Sequence, residues 1–254
     1  IVLMTASTAG AEIEWAEGPN GRTAFVPMEN TPFPHGSRAE GHTYQDQFFS
    51  AEEHYSDNTV ALFVPNGYQP GKAVHLVYYF HGWGNNVRDA LVDFRLREMV
   101  DASGKNAILV FPEGPVNASD STWGRLEEPG AFMALTEEVL VALRTSGAIG
   151  EDAALGDVVL TGHSGAYRAL SFGAKHGGLG DHLKEIYLLD ASYALLEPFA
   201  DWAAASPHHK LRSIFTDHLA ADNVALMTML RRRGASYELV DDAGLRTLPL
   251  DAHR

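Results

Sequence analysis

The sequence predicts a single α/β domain, in which helices cover both faces of a mainly parallel sheet. Strand-like and helix-like patterns alternate about six times from residue 58 onward. The run from Ala107 to Phe111 (AILVF) is apolar at every position, as expected of a strand buried on both faces. The chain has 254 residues, and single α/β domains often reach about 250.

The first half of the chain changes from irregular to periodic near residue 58. Residues 12 to about 57 have mixed polarity and several prolines and glycines, so we expect short edge strands and loops there. Asn58–Val64 is then a predicted strand that Pro65 ends, and Val74–Phe80 and Ala107–Phe111 are predicted strands buried in a sheet. The helix between the last two shows apolar residues at helical spacing: Val87, Ala90, Leu91 and Phe94.

The second half continues the alternation of helices and strands. Two predicted helices have apolar faces formed by Phe132, Leu135, Val139 and Leu143 and by Val224, Met227 and Leu230, and a third covers residues 165 to 176. The predicted strands are Val158–Thr161, Ile186–Leu189, Leu211–Phe215 and Tyr237–Val240. In parallel sheets of this kind, chemistry gathers at the carboxyl ends of the strands.

Composition excludes several kinds of site and partner. Lys and Arg number 19 against 33 Asp and Glu, a net charge of −14, and so negative a surface repels nucleic acids and anionic lipid headgroups. The chain has no cysteine, which excludes disulfides, thiolate metal centres and cysteine nucleophiles. No apolar run reaches the roughly 18 residues of a membrane span. Nothing in the sequence indicates the oligomeric state.

Residues 1–11 resemble the end of a secretory signal peptide. A short apolar run, Ile1 to Met4, precedes small and polar residues that end in Ala9-Gly10-Ala11, an A-x-A type of cleavage site. The domain would then span 12–254, and the protein would be secreted or periplasmic. The alternative is that residues 1–11 are a frayed terminus or a cloning remnant, and the protein would then be cytoplasmic.

The segment Gly162-His163-Ser164-Gly165-Ala166 joins a predicted strand directly to a predicted helix. A serine hydroxyl becomes a nucleophile when it is exposed, aligned and served by a base, and a sharp strand-to-helix turn provides the exposure. The residues two before and two after the serine must be small, as Gly162 and Ala166 are. The segment resembles the nucleophile elbow of the α/β-hydrolase family, with Ala166 in place of the second glycine. The resemblance implies that Ser164 is the nucleophile.

A second glycine-containing turn, His81-Gly82-Trp83-Gly84, follows the predicted strand Val74–Phe80. The resemblance implies that the backbone N–H of Trp83 forms an oxyanion hole with that of Gly165, the residue after the nucleophile. The longer stretch from Val60 resembles the start of many secreted esterases, including feruloyl-esterase-like and polyhydroxyalkanoate-depolymerase-like enzymes.

Among twelve histidines, His253 is the expected base. In the hydrolase order the base follows the acid and lies beyond the last strand, and His253 is the only histidine after Val240. His218 is the alternative. Two residues compete for the acid that orients the imidazole: Asp190 at the end of one strand and Asp217 after the next. Asp190 is preferred because it ends a more apolar strand, and Asp222 is a third choice.

These residues predict a serine hydrolase that cleaves small-molecule or polymeric carboxylic esters. An acyltransferase, a peptidase and a non-catalytic binding protein of the same fold are the alternatives. We expect no cofactor and no metal, because dinucleotide-binding and metal-ligand spacings are lacking in the sequence. The segment from Ala191 to Leu211 is expected to form a small cap, and the segment from Pro112 to Gly130 a second wall that carries Glu113, Asp120 and Trp123. Trp83, Tyr78, Tyr79 and Trp123 are candidates for an aromatic pocket, although core packing is the preferred role of the two tyrosines.

Overall fold

The computed structural model describes residues 13–241. Residues 1–11, which carry the predicted signal remnant, and His253 lie outside the described residues. Within the described part, eight strands form one sheet and two form a separate hairpin. The main-sheet strands are β1 (Ala16–Gly18), β2 (Gly21–Pro27), β5 (Thr59–Pro65), β6 (Ala73–Phe80), β7 (Ala107–Pro112), β8 (Ala154–His163), β9 (Leu183–Leu189) and β10 (Lys210–Ile214). The hairpin consists of β3 (His42–Tyr44) and β4 (Gln47–Phe49).

The main sheet has the order β1-β2-β5-β7-β6-β8-β9-β10. The pairs from β1 to β7 are antiparallel, and the pairs from β7 to β10 are parallel. The carboxyl ends of β6, β7, β8, β9 and β10 therefore lie at the same edge of the sheet. The predicted mainly parallel sheet is confirmed.

Helices cover both faces of this sheet. The helices are α1 (Ala51–His54), α2 (Val87–Asp93), α3 (Leu96–Ala102), α4 (Ala131–Thr145), α5 (Tyr167–His176), α6 (Leu196–Ala205) and α7 (Ala220–Arg232). Side chains of α4 to α7 form one large core with alternate residues of the strands, such as Leu62 and Tyr78. Side chains of α2 and α3 form a second core with the intervening residues, such as Phe63 and Tyr79. The two cores follow from the alternation of side chains along each strand.

Three details differ from the sequence predictions. Tyr237–Val240 forms no strand: the Tyr237 ring packs against the large core and under the Arg231 guanidinium, 5.2 Å from the ring centroid, while Leu239 is exposed. The segment from Ala191 to Leu211 is not a cap, because its helix α6 buries Phe199 and Ala200 in the large core as the crossover between β9 and β10. Helix α3 was not predicted.

The expected wall and aromatic pocket also change. In the segment from Pro112 to Gly130, the side chains of Glu113, Asp120 and Trp123 are buried rather than lining a surface. Tyr78, Tyr79 and Trp123 are core residues, whereas Trp83 is 43% exposed. Trp83 is therefore the accessible member of the four predicted aromatic residues. No helix within residues 13–241 has the length and apolar character that a membrane crossing needs.

Candidate active site

Ser164 lies at the tip of β8, in a sharp turn into α5. β8 ends at His163, residues Ser164–Ala166 form one short 3₁₀ turn, and α5 begins at Tyr167. The φ angle of Ser164 is +53°, in the left-handed region that a non-glycine residue rarely adopts. Such strain persists only where the surrounding structure imposes it, and it is typical of functional sites.

The neighbours of Ser164 are small because there is no room for larger ones. A Cβ atom added to Gly162 would lie 2.6 Å from the Cβ of Ala166 and 3.2 Å from the Cβ of Phe80. Ala166 is itself fully buried. The requirement for small residues two before and two after Ser164 therefore has a direct steric cause.

The turn that carries Trp83 lies against the turn that carries Ser164. A Cβ atom on Gly82 would come within 2.9 Å of the Ser164 Cβ, and one on Gly165 within 2.6 Å of Trp83 Cδ1. The Trp83 indole N–H donates a hydrogen bond of 2.7 Å to Ser121 Oγ, which anchors the ring. The two residues whose backbone N–H groups were predicted to face a common oxyanion thus belong to turns in direct contact.

Two buried ionisable residues lie beneath the Trp83 turn. His81 follows β6 and is 1% exposed, and Glu113 follows the neighbouring strand β7 and is 3% exposed. Their side chains are hydrogen-bonded, with 3.1 Å between His81 Nε2 and Glu113 Oε1. Strand adjacency alone explains this meeting, because residues 81 and 113 leave parallel neighbours at the same edge.

Asp190 and His218 are connected through Thr216 at the ends of β9 and β10. The Asp190 carboxylate accepts hydrogen bonds from the Thr216 N–H (2.7 Å) and from the Thr216 hydroxyl (2.9 Å). The same hydroxyl lies 2.6 Å from His218 Nδ1, and since its hydrogen goes to Asp190, it accepts from Nδ1–H. The Nε2 lone pair of His218 then accepts from the Tyr193 hydroxyl at 2.9 Å.

The two remaining candidates for the acid lie near the hydrogen-bonded cluster of Asp190, Thr216 and His218 but are not part of it. Asp217 is exposed and begins the short turn Asp217–Leu219 after β10, and Asp222 lies half-buried in the first turn of α7. The ring of Tyr193 lies 6.2 Å from that of Tyr167, three residues after Ser164, and 5.7 Å from that of His218. The aromatic contacts thus bridge the elbow and His218.

His163, next to the predicted nucleophile, is harder to protonate than a solvent-exposed histidine. Burial lowers the pKa of the His163 imidazole, and the nearby charge of Asp190 offsets only part of that effect. The ring packs against Phe94 of the α2–α3 connection, with centroids 5.6 Å apart. His163 therefore packs beside the elbow, and its lowered pKa makes its ring resist protonation.

An exposed aromatic pair borders the site, and the sequence analysis identified only one of its members. Tyr44, 38% exposed at the end of β3, makes an edge-to-face contact with Trp83, with ring centroids 4.9 Å apart. Tyr44, Thr216 and Tyr193 carry no motif, since they are isolated polar or aromatic residues in loops or a short hairpin. Only the tertiary structure brings them to the site.

Within residues 13–241, no group of three or more His, Asp or Glu side chains is placed to hold a metal ion. No protein-family model matches the sequence, and no curated protein matches it.

Solved structures resemble the fold at low sequence identity. A feruloyl esterase module from Clostridium thermocellum, complexed with sinapinate, is 12% identical, with 90% of this chain and 81% of that chain covered and a TM-score of 0.50. A Staphylococcus aureus fluorophosphonate-binding serine hydrolase is 14% identical, with coverage of 74% and 85% and a TM-score of 0.47. An S-formylglutathione hydrolase from Agrobacterium tumefaciens is 12% identical, with coverage of 85% and 86% and a TM-score of 0.46.

The chain has the α/β-hydrolase fold. This conclusion depends on the sheet order, the direction of its strands and the similarity to the feruloyl esterase module. At these identities the similarity extends to the fold alone, so the chemistry must be argued from the residues of this chain.

Proposed function

We propose that this protein is a serine hydrolase that cleaves carboxylic esters through an acyl-enzyme on Ser164. The observation that carries the proposal is the left-handed backbone of Ser164 at the tip of β8, with φ at +53°. That conformation costs free energy, and a side chain presented at a strand tip and a helix start is what a nucleophile requires.

The proposed reaction has two steps. A histidine takes the Ser164 proton while Oγ bonds to the ester carbonyl carbon, and the N–H groups of Trp83 and Gly165 bind the developing oxyanion. The intermediate collapses, the C–O bond to the alcohol breaks, and the histidine returns its proton to the departing alcohol. In the second step the same histidine takes a proton from water, whose oxygen bonds to the acyl carbon. The bond from that carbon to Ser164 Oγ then breaks, the histidine returns the proton to Oγ, and the acid is released.

Two histidines compete for the role of base. His253 and His218 both follow β10, the last described strand. His253 is the proposed residue, and it lies outside the described residues. His218 is the alternative, supported by its Nδ1–H bond to Thr216, which leaves Nε2 without a hydrogen. To act as the base, Nε2 would have to exchange the Tyr193 hydroxyl for the hydroxyl of Ser164. His253→Ala and His218→Ala should differ sharply in kcat. The variant that loses about 10³-fold or more identifies the base.

Asp190 is the proposed acid, with Asp217 and Asp222 as alternatives. The position of Asp190 after β9 and its effect on the neighbour of Ser164 support this choice. The three Asp→Asn variants separate the candidates, because removing the acid leaves an imidazole without an orienting partner and lowers kcat by several orders of magnitude. An unchanged kcat in Asp190→Asn would transfer the role to whichever of the other two variants is inactive.

Replacing the nucleophile tests the proposal as a whole. Ser164→Ala should lower kcat on a chromogenic short-chain ester by about 10⁴-fold or more, because the acyl-enzyme can no longer form. Ser206→Ala, a serine that follows α6 at the opposite edge of the sheet, is the matched control and should retain wild-type turnover. Wild-type turnover in Ser164→Ala contradicts the proposal.

Two further measurements separate the alternative functions. An acyltransferase or peptidase would use the same acyl-enzyme with another acceptor or bond, so added alcohols or amines would compete with water for the acyl group. A binding protein of the same fold would leave Ser164 unlabelled by a fluorophosphonate. For location we retain the secreted or periplasmic compartment as a proposal, which cell fractionation tests.

A further inference from the structure

The hydrogen bonds of His81 and Glu113 converge on the peptide that carries one proposed oxyanion donor. His81 Nδ1 lies 2.7 Å from the carbonyl oxygen of Gly82. A carbonyl oxygen can only accept, so Nδ1 must carry a hydrogen and donate it. His81 Nε2 faces Glu113 Oε1 at 3.1 Å. Whichever of these two atoms holds the proton between them, Nδ1 keeps its own.

Glu113 fixes the other end of the same turn. Its carboxylate accepts from the N–H of Val87, the first residue of α2, at 3.0 Å, and from the N–H of Gly114 at 3.2 Å. The turn from His81 to α2 is therefore held at its start and at its end by one buried carboxylate. Between these points, the Gly84 N–H donates to the Ala118 carbonyl at 3.0 Å.

The bond to the Gly82 carbonyl determines the direction of the Trp83 N–H. Gly82 C=O and Trp83 N–H belong to one peptide unit, which is planar and trans, so the two bonds point in opposite directions. Fixing the carbonyl toward His81 fixes the N–H away from it. Since a Cβ on Gly82 would touch the Ser164 Cβ, this peptide lies directly beside the nucleophile.

We infer that the buried His81–Glu113 pair is a positioning element, which orients and polarises the Trp83 N–H for the oxyanion formed at Ser164. The inference rests on the proposed function and adds residues that touch no substrate. A hydrogen bond to the carbonyl side of a peptide strengthens its N–H as a donor. Donors at an oxyanion act best when they are aligned before the reaction begins.

Three variants separate positioning from mere structural support. His81→Leu removes the donor, His81→Asn places an amide N–H near the position of Nδ1, and Glu113→Gln keeps the shape of Glu113 but replaces its carboxyl group with an amide. We expect His81→Leu to lower kcat about 10- to 100-fold with KM within about twofold, since a lost oxyanion donor costs about 10²–10³. His81→Asn should recover most of that loss, and Glu113→Gln should lie between the two.

The decisive readout is the inhibition constant of a trifluoromethyl ketone, whose adduct with Ser164 bears a negatively charged oxygen. This inhibition constant should rise across the three variants in proportion to the fall in kcat/KM. A loss of stability alone would not produce such a proportional rise. His182→Leu is the matched control, because it removes a similar bond (2.9 Å, His182 Nδ1 to the Gly156 carbonyl) near the amino ends of β8 and β9. Its kcat and inhibition constant should stay at wild-type values.

Other outcomes overturn the inference in recognisable ways. Wild-type kcat and inhibitor affinity in both His81→Leu and Glu113→Gln contradict it, as does a His81→Asn variant as impaired as His81→Leu. If His81→Leu does not fold, the comparison of His81→Asn with Glu113→Gln and wild type decides. Wild-type turnover in Ser164→Ala, measured in parallel, would instead reject the proposed function, and the inference with it.

Discussion

At the scale of single residues, the turn at Ser164 shows how sterics fix an unusual backbone conformation. Ser164 and Asp190 both have positive φ angles, +53° and +47°, at the ends of the adjacent strands β8 and β9. A left-handed non-glycine residue costs on the order of 1–3 kcal/mol, so the fold stabilises two unfavourable conformations next to each other. Gly162 and Ala166 permit the first of them by leaving space for the turn.

Gly162→Ala should disrupt this arrangement. The added Cβ would lie 2.6 Å from the Cβ of Ala166, and overpacking of this kind costs about 1–3 kcal/mol. We expect urea unfolding to show that loss of stability, together with a large fall in esterase activity. Gly67→Ala is the control, because a Cβ there meets no atom within 4 Å. A Gly162→Ala variant as stable and active as Gly67→Ala would contradict the steric argument.

His163 should give the protein a pH-dependent stability near neutrality. Burial lowers the pKa of His163 in the folded chain, whereas an unfolded histidine titrates at roughly 6.5. The unfolded chain therefore binds the proton more readily, and the free energy of unfolding decreases as the pH falls below roughly 6.5. His163→Asn should show a smaller decrease between pH 7.5 and 5.5 in urea titrations.

A second pH window serves as the internal control for that experiment. Burial alone would raise the pKa of Asp120 and of Glu185, but hydrogen bonds and nearby cations lower both, Arg38 acting on Asp120 and Arg212 on Glu185. Their stabilising contribution is present above the ordinary carboxylate range, about pH 4, and is lost as the pH falls further. Wild type and His163→Asn should lose stability alike there. Equal slopes above pH 5.5 as well would refute the role of His163.

At the scale of elements, the β3–β4 hairpin adds a wall that the central sheet does not supply. Tyr44 pairs with Gln47, and the adjacent Phe48 therefore points to the opposite face of the hairpin. The Tyr44 face contacts Trp83 beside the elbow, while the Phe48 side chain is 62% exposed. One hairpin thus offers a test residue and a control residue with the same backbone.

Tyr44→Ala should alter the preference between aromatic and aliphatic acyl groups. Aromatic pairs contribute about 0.5–1.5 kcal/mol, which corresponds to roughly 2- to 10-fold in kcat/KM. We expect that loss for a benzoate ester relative to a butyrate ester of the same alcohol, measured side by side. Phe48→Ala should leave the ratio of the two rates at the wild-type value. An unchanged ratio in Tyr44→Ala would place the substrate away from this wall.

The strands of the parallel half of the sheet were predictable because their apolar composition indicates that both faces are buried. β7 was predicted within one residue at its end, whereas β8 extends beyond the predicted Val158–Thr161 at both ends. Gly162 continues β8 because it pairs on both sides, with Phe80 of β6 and Leu188 of β9. Tyr237–Val240 shows the converse: it has strand-like composition, yet its tyrosine packs against the large core and no strand forms.

At the scale of the whole molecule, sheet order assembles the site from distant segments. The order β7-β6-β8-β9-β10 places residues that follow each of these strands along one edge. Five residues that are spread over more than one hundred positions of the sequence thus meet at the same edge: His81, Glu113, Ser164, Asp190 and His218. A single misplaced strand would separate these groups, so the fold and the proposed chemistry are linked through topology.

Removal of residues 242–254 tests the proposed base at this scale. The last described element, α7, ends at Arg232, so the shortened chain keeps every described strand and helix and should still unfold cooperatively in urea. We expect kcat/KM to fall about 10³-fold or more, because His253 is removed. Full-length His253→Ala should show the same loss. Turnover that survives in both proteins would assign the base to His218.

The sequence by itself determined the fold class, the strand tip that presents Ser164 and the glycine turn that carries Trp83. These features depend on hydrophobic periodicity and on local steric limits, and both can be recognised from residues that are close together in the sequence. The tertiary structure alone decided that His81 and Glu113 form a buried pair, that Thr216 joins Asp190 to His218, and that Tyr44 reaches Trp83. Such contacts join residues from separate elements. They depend on strand order and packing, and no local sequence pattern encodes either of these.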